Sequence, residues 1–496
     1  MGAEVWIERA KMVMGSLVVS FLAAVAFTGN ASGWMVMEVH TAAAFIILAC
    51  VLVLMGFVEA LHYSCVNLEK ADPVTFEKNY PRAAENQRLV NNPTLVKRFL
   101  LGRQGFVIAI VFICAQLTNF PGMPKDMWGM PEGLTAVLGK TGLPGVAIVL
   151  TVGQLISQLY VESYTLAFHN LPGVWSVIQL CLATEYIGLC HWSWLLYEIS
   201  NRLACIKIVR AKKAMDRVDF NADGEEEPLS PTAKNRGPDF DLGVPGTNDL
   251  SAFDMFRYLW STALSLSAIG VVLYGIGTGT YILHVPVAAA YIIAACTLVL
   301  LFYLEGLMIT IAATTDWDRE TWKEAYPRAY AVHELVNDGH KVKAFIIGRQ
   351  FMTLLTGFVL AEIFTFANME NTFGMNEGLF YIIFKSGFAG VLLVLSVGQL
   401  CPELLAAEYP LRFLNLRGSW IICRVCLFFD ACAVGHAGWT IYYPTEVEKA
   451  EDDDVAAFNT QRLESAELYH KTGSPYGGPK RATSSQKFMN DKYGGV

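Results

Sequence analysis

The sequence predicts an all-α, polytopic membrane protein of about ten transmembrane helices, built from a duplicated five-helix unit whose second copy is inverted. Three observations predict it: an apolar composition, apolar runs of spanning length, and residues that return at a constant offset. Hydrophobic residues make up 54% of the 496 and charged residues 17%, with a mean hydropathy of +0.38. That is too apolar for a chain whose whole surface faces water. The apolar runs are continuous and rich in Leu, Ala and Val, as bilayer-crossing helices of about 20 residues require. A β-barrel would show short alternating segments instead.

In order, the apolar segments fall at 12–29, 37–66, 99–120, 134–162 and 174–200, then at 256–283, 285–312, 345–366, 379–406 and 419–443. Arg9 and Lys11 precede the first, as in a signal peptide, but the many spans that follow favour a retained helix. Between the halves, 201–255 opens with Arg202, Lys207, Arg210, Lys212, Lys213 and Arg217 and continues as DGEEEPLSPTAKNRGPDFDLGVPG, a polar linker. The tail, 444–496, is polar, with one short helix at most near Val455 to Tyr469. The division is therefore 1–200, first repeat; 201–255, linker; 256–443, second repeat; 444–496, tail.

The formal charge of −8 reflects acids in loops and in the tail (Glu446, Glu448, Glu451, Asp452 to Asp454), and no nucleic-acid partner is expected. Most of the 11 cysteines sit inside apolar runs without metal-ligand spacing, so they read as packing thiols, with no metal centre and no cofactor.

Sliding the chain over itself gives a gapless match of 59–104 to 305–350, residues 246 apart, as Glu59 to Glu305 and Gly102 to Gly348 both are. Tyr80-Pro81-Arg82-Ala83 returns as Tyr326-Pro327-Arg328-Ala329. One residue is then lost: at an offset of 245, Val152-Gly153-Gln154-Leu155 returns as Val397-Gly398-Gln399-Leu400, and Asn170, Gly173 and Trp175 as Asn415, Gly418 and Trp420. Duplication of this kind recurs in secondary transporters, with the substrate site near the midplane between repeats. An odd number of spans per half inverts the second half. Loop charge argues otherwise, because 67–98 and 313–343 are both basic and would both be cytoplasmic. The rival arrangement keeps the halves parallel by making one segment per half re-entrant, with 134–162 and 379–406 as the candidates.

Ionisable and polar residues inside spans are costly and are functional candidates. The repeated pairs are Glu59 with Glu305, Arg103 with Arg349, Gln104 with Gln350, Gln116 with Glu362, Gln154 with Gln399, Gln158 with Glu403, Glu185 with Asp430, and His191 with His436. A carboxylate ending the second helix and a guanidinium opening the third belong on one side of the membrane, where Glu59–Arg103 and Glu305–Arg349 form structural or gating pairs. The arginines have an equally good purely architectural reading, snorkelling to the interface or holding helices together. Gln104 and Gln350, with Gln154 and Gln399, offer donors and acceptors suited to a small neutral polyhydroxy solute, although glutamines also serve as interhelical glue. Gly102 and Gly348 allow close backbone approach. Glu185 and Asp430 are candidates for ion coupling, since hard oxygen ligands suit sodium.

The GRQ triplets at 102–104 and 348–350, each preceded by a glutamate ending the previous helix, resemble the paired EGxQ and GRQ motifs of the silicic acid transporters of diatoms and other silicifying algae. The resemblance covers roughly 37–443 and includes the VGQL of each half. It implies a ten-span, sodium-coupled carrier of silicic acid, with sodium as coupling ion and no other cofactor. The sequence departs from the pattern where Glu59-Ala60-Leu61-His62 and Glu305-Gly306-Leu307-Met308 replace both EGxQ glutamines, and the carboxy-terminal coiled coil common in diatom members is absent. The expected function is therefore a secondary active transporter in the plasma membrane, its partners silicic acid, sodium and lipid; the sequence leaves a homo-oligomer open. A channel or carrier for another small neutral solute is the alternative. A membrane enzyme using His191 and His436 with Glu185 and Asp430 as metal ligands fits poorly, because each histidine is six residues from its acid and residues six apart on a helix point about 120° away from each other.

Overall fold

The computed structural model describes residues 2–199 and 252–442, except 69–70, 91–92, 190, 194, 197–198, 315–316, 318–319, 321, 337–338, 373 and 433. Most of the expected linker, the tail 444–496 and the short helix near 455–469 lie outside the described residues. Every regular element among the described residues is helical. In the first half these are α1 (Gly2–Ala31), α2 (Thr41–Leu68), α3 (Pro81–Val90), α4 (Pro93–Thr118), α5 (Glu132–Lys140), α6 (Leu143–Ile148, continued by Val149–Leu155 and Ile156–Ser163) and α7 (Val174–Tyr186). In the second they are α8 (Ala252–Thr278), α9 (Val287–Thr314), α10 (Pro327–Val336), α11 (Gly339–Phe364), α12 (Phe388–Leu393, continued by Val394–Leu400 and Cys401–Glu408), α13 (Ser419–Ala431) and α14 (Ala437–Tyr442).

The repeated Tyr-Pro-Arg-Ala and Asn have a local explanation. Proline begins α3 and α10, where its missing N–H costs nothing, but the next two N–H groups still need an acceptor. Asn170 Oδ1 accepts from Arg82 and Ala83 (2.9 and 3.1 Å), and Asn415 Oδ1 from Arg328 and Ala329 (2.9 and 3.2 Å). Each short amphipathic helix is thereby fastened to the turn after α6 or α12.

Two expected segments divide. The run 134–162 is α5 followed by α6, separated at Gly142 (φ +59), and 379–406 divides at Gly387 (φ +78) ahead of α12. Within α6 and α12 the VLTVGQL and VLSVGQL stretches wind as π-helix, a rare form frequent at functional sites.

Among the described residues, eight helices are long and apolar enough to cross a membrane, four in each half. The two further segments expected to span, 174–200 and 419–443, are not among these eight. Helices α7 and α13 have 13 residues each, about 20 Å, against a hydrocarbon core of about 30 Å. Each runs alongside and in the direction of the third span: Gly102 lies on the Cys181 carbonyl and Gly105 on Thr184, while Gly348 lies on the Cys426 carbonyl and Phe351 stacks against Phe429. In the second half the chain then reverses. Val434–His436 packs on the π-helical turn of α6, and α14 packs on Ile156–Ser163, with Gly438 on Leu155.

The halves also have the same sense. The start of α6 touches the end of α4 at Gly145–Thr118 and the end of α11, where the Phe358 ring lies on Gly142 and Gly145. Further along, Gln158 of α6 bonds to Gln350, near the start of the α11 span. Helix α6 is thus antiparallel to both α4 and α11, so α4 and α11 are parallel; the end of α12 reaches Gln104 in the same way. Among the described residues the equivalent spans of the two halves therefore run the same way, and the inverted arrangement expected from five spans per half is not shown.

Candidate functional site

The two buried ion pairs form as expected. Glu59 on α2 accepts from Arg103 Nη1 at 3.0 Å, and Glu305 on α9 accepts from Arg349 Nη1 at 3.2 Å, all four side chains buried. Out of water, a guanidinium is tolerable only with such a partner, and each pair ties the second span of its half to the third.

From these pairs a hydrogen-bonded network crosses between the halves. Arg103 Nη2 donates to Gln104 Oε1 at 3.0 Å, and Gln104 Nε2 donates to Glu403 Oε1 on α12 at 2.7 Å. Reciprocally, Gln350 Nε2 donates to Gln158 Oε1 on α6 at 3.0 Å, and Gln158 Nε2 reaches Glu59 Oε2 at 3.3 Å. Each GRQ glutamine therefore grips the same position, 158 or 403, of the opposite half. Gln158 and Glu403 are the site residues to which the sequence assigned no role. Their only signal was recurrence at the common offset. His62, at the replaced motif glutamine, lies within electrostatic reach of Arg103 and Arg349.

One turn from Gln158 and Glu403, in the π-helical stretches, sit Gln154 and Gln399. Both are buried, and their Oε1 atoms, with that of Gln350, accept no hydrogen bond among the described residues. A buried amide oxygen without a partner is costly and uncommon. Three of them, from both halves, are left as acceptors without donors among the described residues.

Other expected site residues have different neighbours. A Cβ on Gly102 or Gly348 would collide with the carbonyl of Cys181 or Cys426, so these glycines admit the backbone of a neighbouring helix. Glu185 is held by cations, with Arg257 of α8 at 3.0 Å and Arg98 at 3.4 Å, and His191 Nε2 is 3.7 Å away. Arg257 belongs to the second half, so this cluster pins the end of α7 to α8. Asp430 is buried with His436 Nδ1 at 4.0 Å.

A family model described as silicon transporter matches residues 6–164 and 249–447, well over half of the chain. No curated protein and no solved structure matches it.

Proposed function

Since the chain belongs to the silicon transporter family, we propose that it carries silicic acid across the plasma membrane, coupled to sodium, by alternating access between its two halves. The observation that carries this reading is three buried amide oxygens without donors, on α6, α11 and α12, close in sequence to the cross-half hydrogen bonds. Gln154, Gln350 and Gln399 bring acceptor oxygens without donors, and silicic acid at neutral pH is an uncharged molecule with four hydroxyl groups. Such a solute needs no counter-charge, which fits a centre whose arginines are already engaged by Glu59 and Glu305.

Binding would draw the amides onto the solute, and the cross-half bonds Gln104–Glu403 and Gln350–Gln158 are the links that must break and re-form as the halves rock. The intra-half pairs Glu59–Arg103 and Glu305–Arg349 would move as rigid units. Uptake of silicic acid into vesicles with and without a sodium gradient tests the reading: entry should fall close to background without sodium. Equal flux with no ion gradient would favour a channel for small neutral solutes.

A further inference from the structure

Near the opposite ends of α4 and α11, away from the arginine pairs, lies a second polar niche. Glu362 of α11 is 1% exposed, and neither carboxylate oxygen makes a hydrogen bond to any described residue. It is alone among the buried carboxylates of the described residues in leaving both oxygens so. Asn119, just past the end of α4 and also 1% exposed, faces it across the inter-half contact, close enough to stabilise the carboxylate, though neither of its side-chain atoms reaches full hydrogen-bond geometry. Gly142, at the start of α6, closes the niche, and a Cβ there would stand 3.4 Å from Glu362 Oε1.

The other half supplies an internal control. There the equivalent of Glu362 is Gln116, whose Nε2 donates to the Ser386 carbonyl at 3.0 Å, and the equivalents of Asn119 and Gly142 are Thr365 and Gly387. A neutral amide is therefore enough to complete this packing, so a carboxyl at 362 is not needed for it. A bare carboxylate in an apolar interior is too costly to persist, so such a group stays protonated unless a cation takes the proton's place. Glu59, Glu305 and Glu185 each have a guanidinium; no salt bridge is formed by Glu362 among the described residues. Ionisation, which the N-terminal end of α6 favours, goes with a cation small enough to fit between the carboxylate and an amide oxygen in exchange for the proton.

We propose that Glu362 and Asn119 form a binding site for a small monovalent cation of sodium's size, with Glu362 Oε1 and Oε2 and Asn119 Oδ1 as hard oxygen ligands. The site bridges α4 and α11, so occupancy ties the halves together at the end opposite the arginine pairs. It rests on the reading of the chain as an ion-coupled carrier and moves the coupling role from Glu185, already held by two arginines, to Glu362. The test uses purified full-length protein in detergent, without silicic acid, as sodium replaces N-methylglucamine at constant ionic strength. The parent's melting temperature should rise saturably with sodium. Glu362→Gln, which copies Gln116, should fold and lose the rise, and Asn119→Ala should raise the half-saturating sodium concentration at least threefold. A parent insensitive to sodium, or a Glu362→Gln protein with the parent's response, would overturn the site. Carbodiimide labelling of Glu362 in the parent, read by mass spectrometry, tests it without any variant: sodium should protect, and labelling indifferent to sodium counts against the proposal. Because no solute is present, this outcome is independent of whether silicic acid is the cargo.

Discussion

Arg103 and Gln104 are consecutive in α4 yet serve different halves, because about 100° of helical rotation separates their side chains. The arginine turns to Glu59 within its own half, and the glutamine turns to Glu403 across the interface. The ion pair was legible in the sequence, since an acid ending one helix and a base opening the next must lie at one membrane face. The glutamine's partner was not, because no local rule connects positions 104 and 403. Removing one charge of a buried pair leaves the other uncompensated at a cost of about 3–5 kcal/mol. Glu59→Gln and Glu305→Gln should therefore each lower the detergent melting temperature and surface expression, read by fluorescence-detected size exclusion. Parent-like expression and melting in both would show that the pairs do not hold the helices. The glycines of the triplets illustrate a half-legible feature: close approach was foreseen, but the approaching group is the backbone of α7 or α13. Gly102→Ala and Gly348→Ala should each destabilise by about 1–3 kcal/mol, with the half-saturating solute concentration of the surviving protein unchanged.

Among the elements, the fifth apolar segment of each half departed most from expectation. A turn at Gly188 (φ +90) follows α7, and α13 ends at Ala431. The turn between α6 and α7 contains His169, fully buried, with Nδ1 3.1 Å from Ser64 Oγ. Burial pushes its pKa down to about 4. An unfolded histidine, near 6.5, takes up a proton first, so its contribution to stability is fully present above about pH 6.5 and lost as pH falls toward 4. The loss amounts to about 3 kcal/mol at most. Melting between pH 7 and 4 should show this slope in the parent and a shallower one in His169→Asn; equal slopes would exclude the histidine as the source.

At the scale of the molecule, α4 and α11 run the same way, which follows from two contacts, Gly142 with Phe358 and Gln158 with Gln350, and the basic loops favour the same sense. Exposed Lys78 and Lys323 should therefore face the same compartment. After existing accessible thiols are blocked by substitution, Lys78→Cys and Lys323→Cys should both react with an impermeant maleimide from one side of sealed vesicles; labelling from opposite sides would restore the inverted arrangement.

The central claim is that the amides between the halves hold silicic acid. Saturable uptake by reconstituted protein, compared between parent, Gln154→Leu and Gln399→Leu, tests it most directly. Loss of one neutral hydrogen bond of about 1 kcal/mol should raise the half-saturating concentration roughly fivefold in each variant, with reconstitution unimpaired. Uptake by the parent no greater than by protein-free vesicles, or variants that saturate as the parent does, would contradict it.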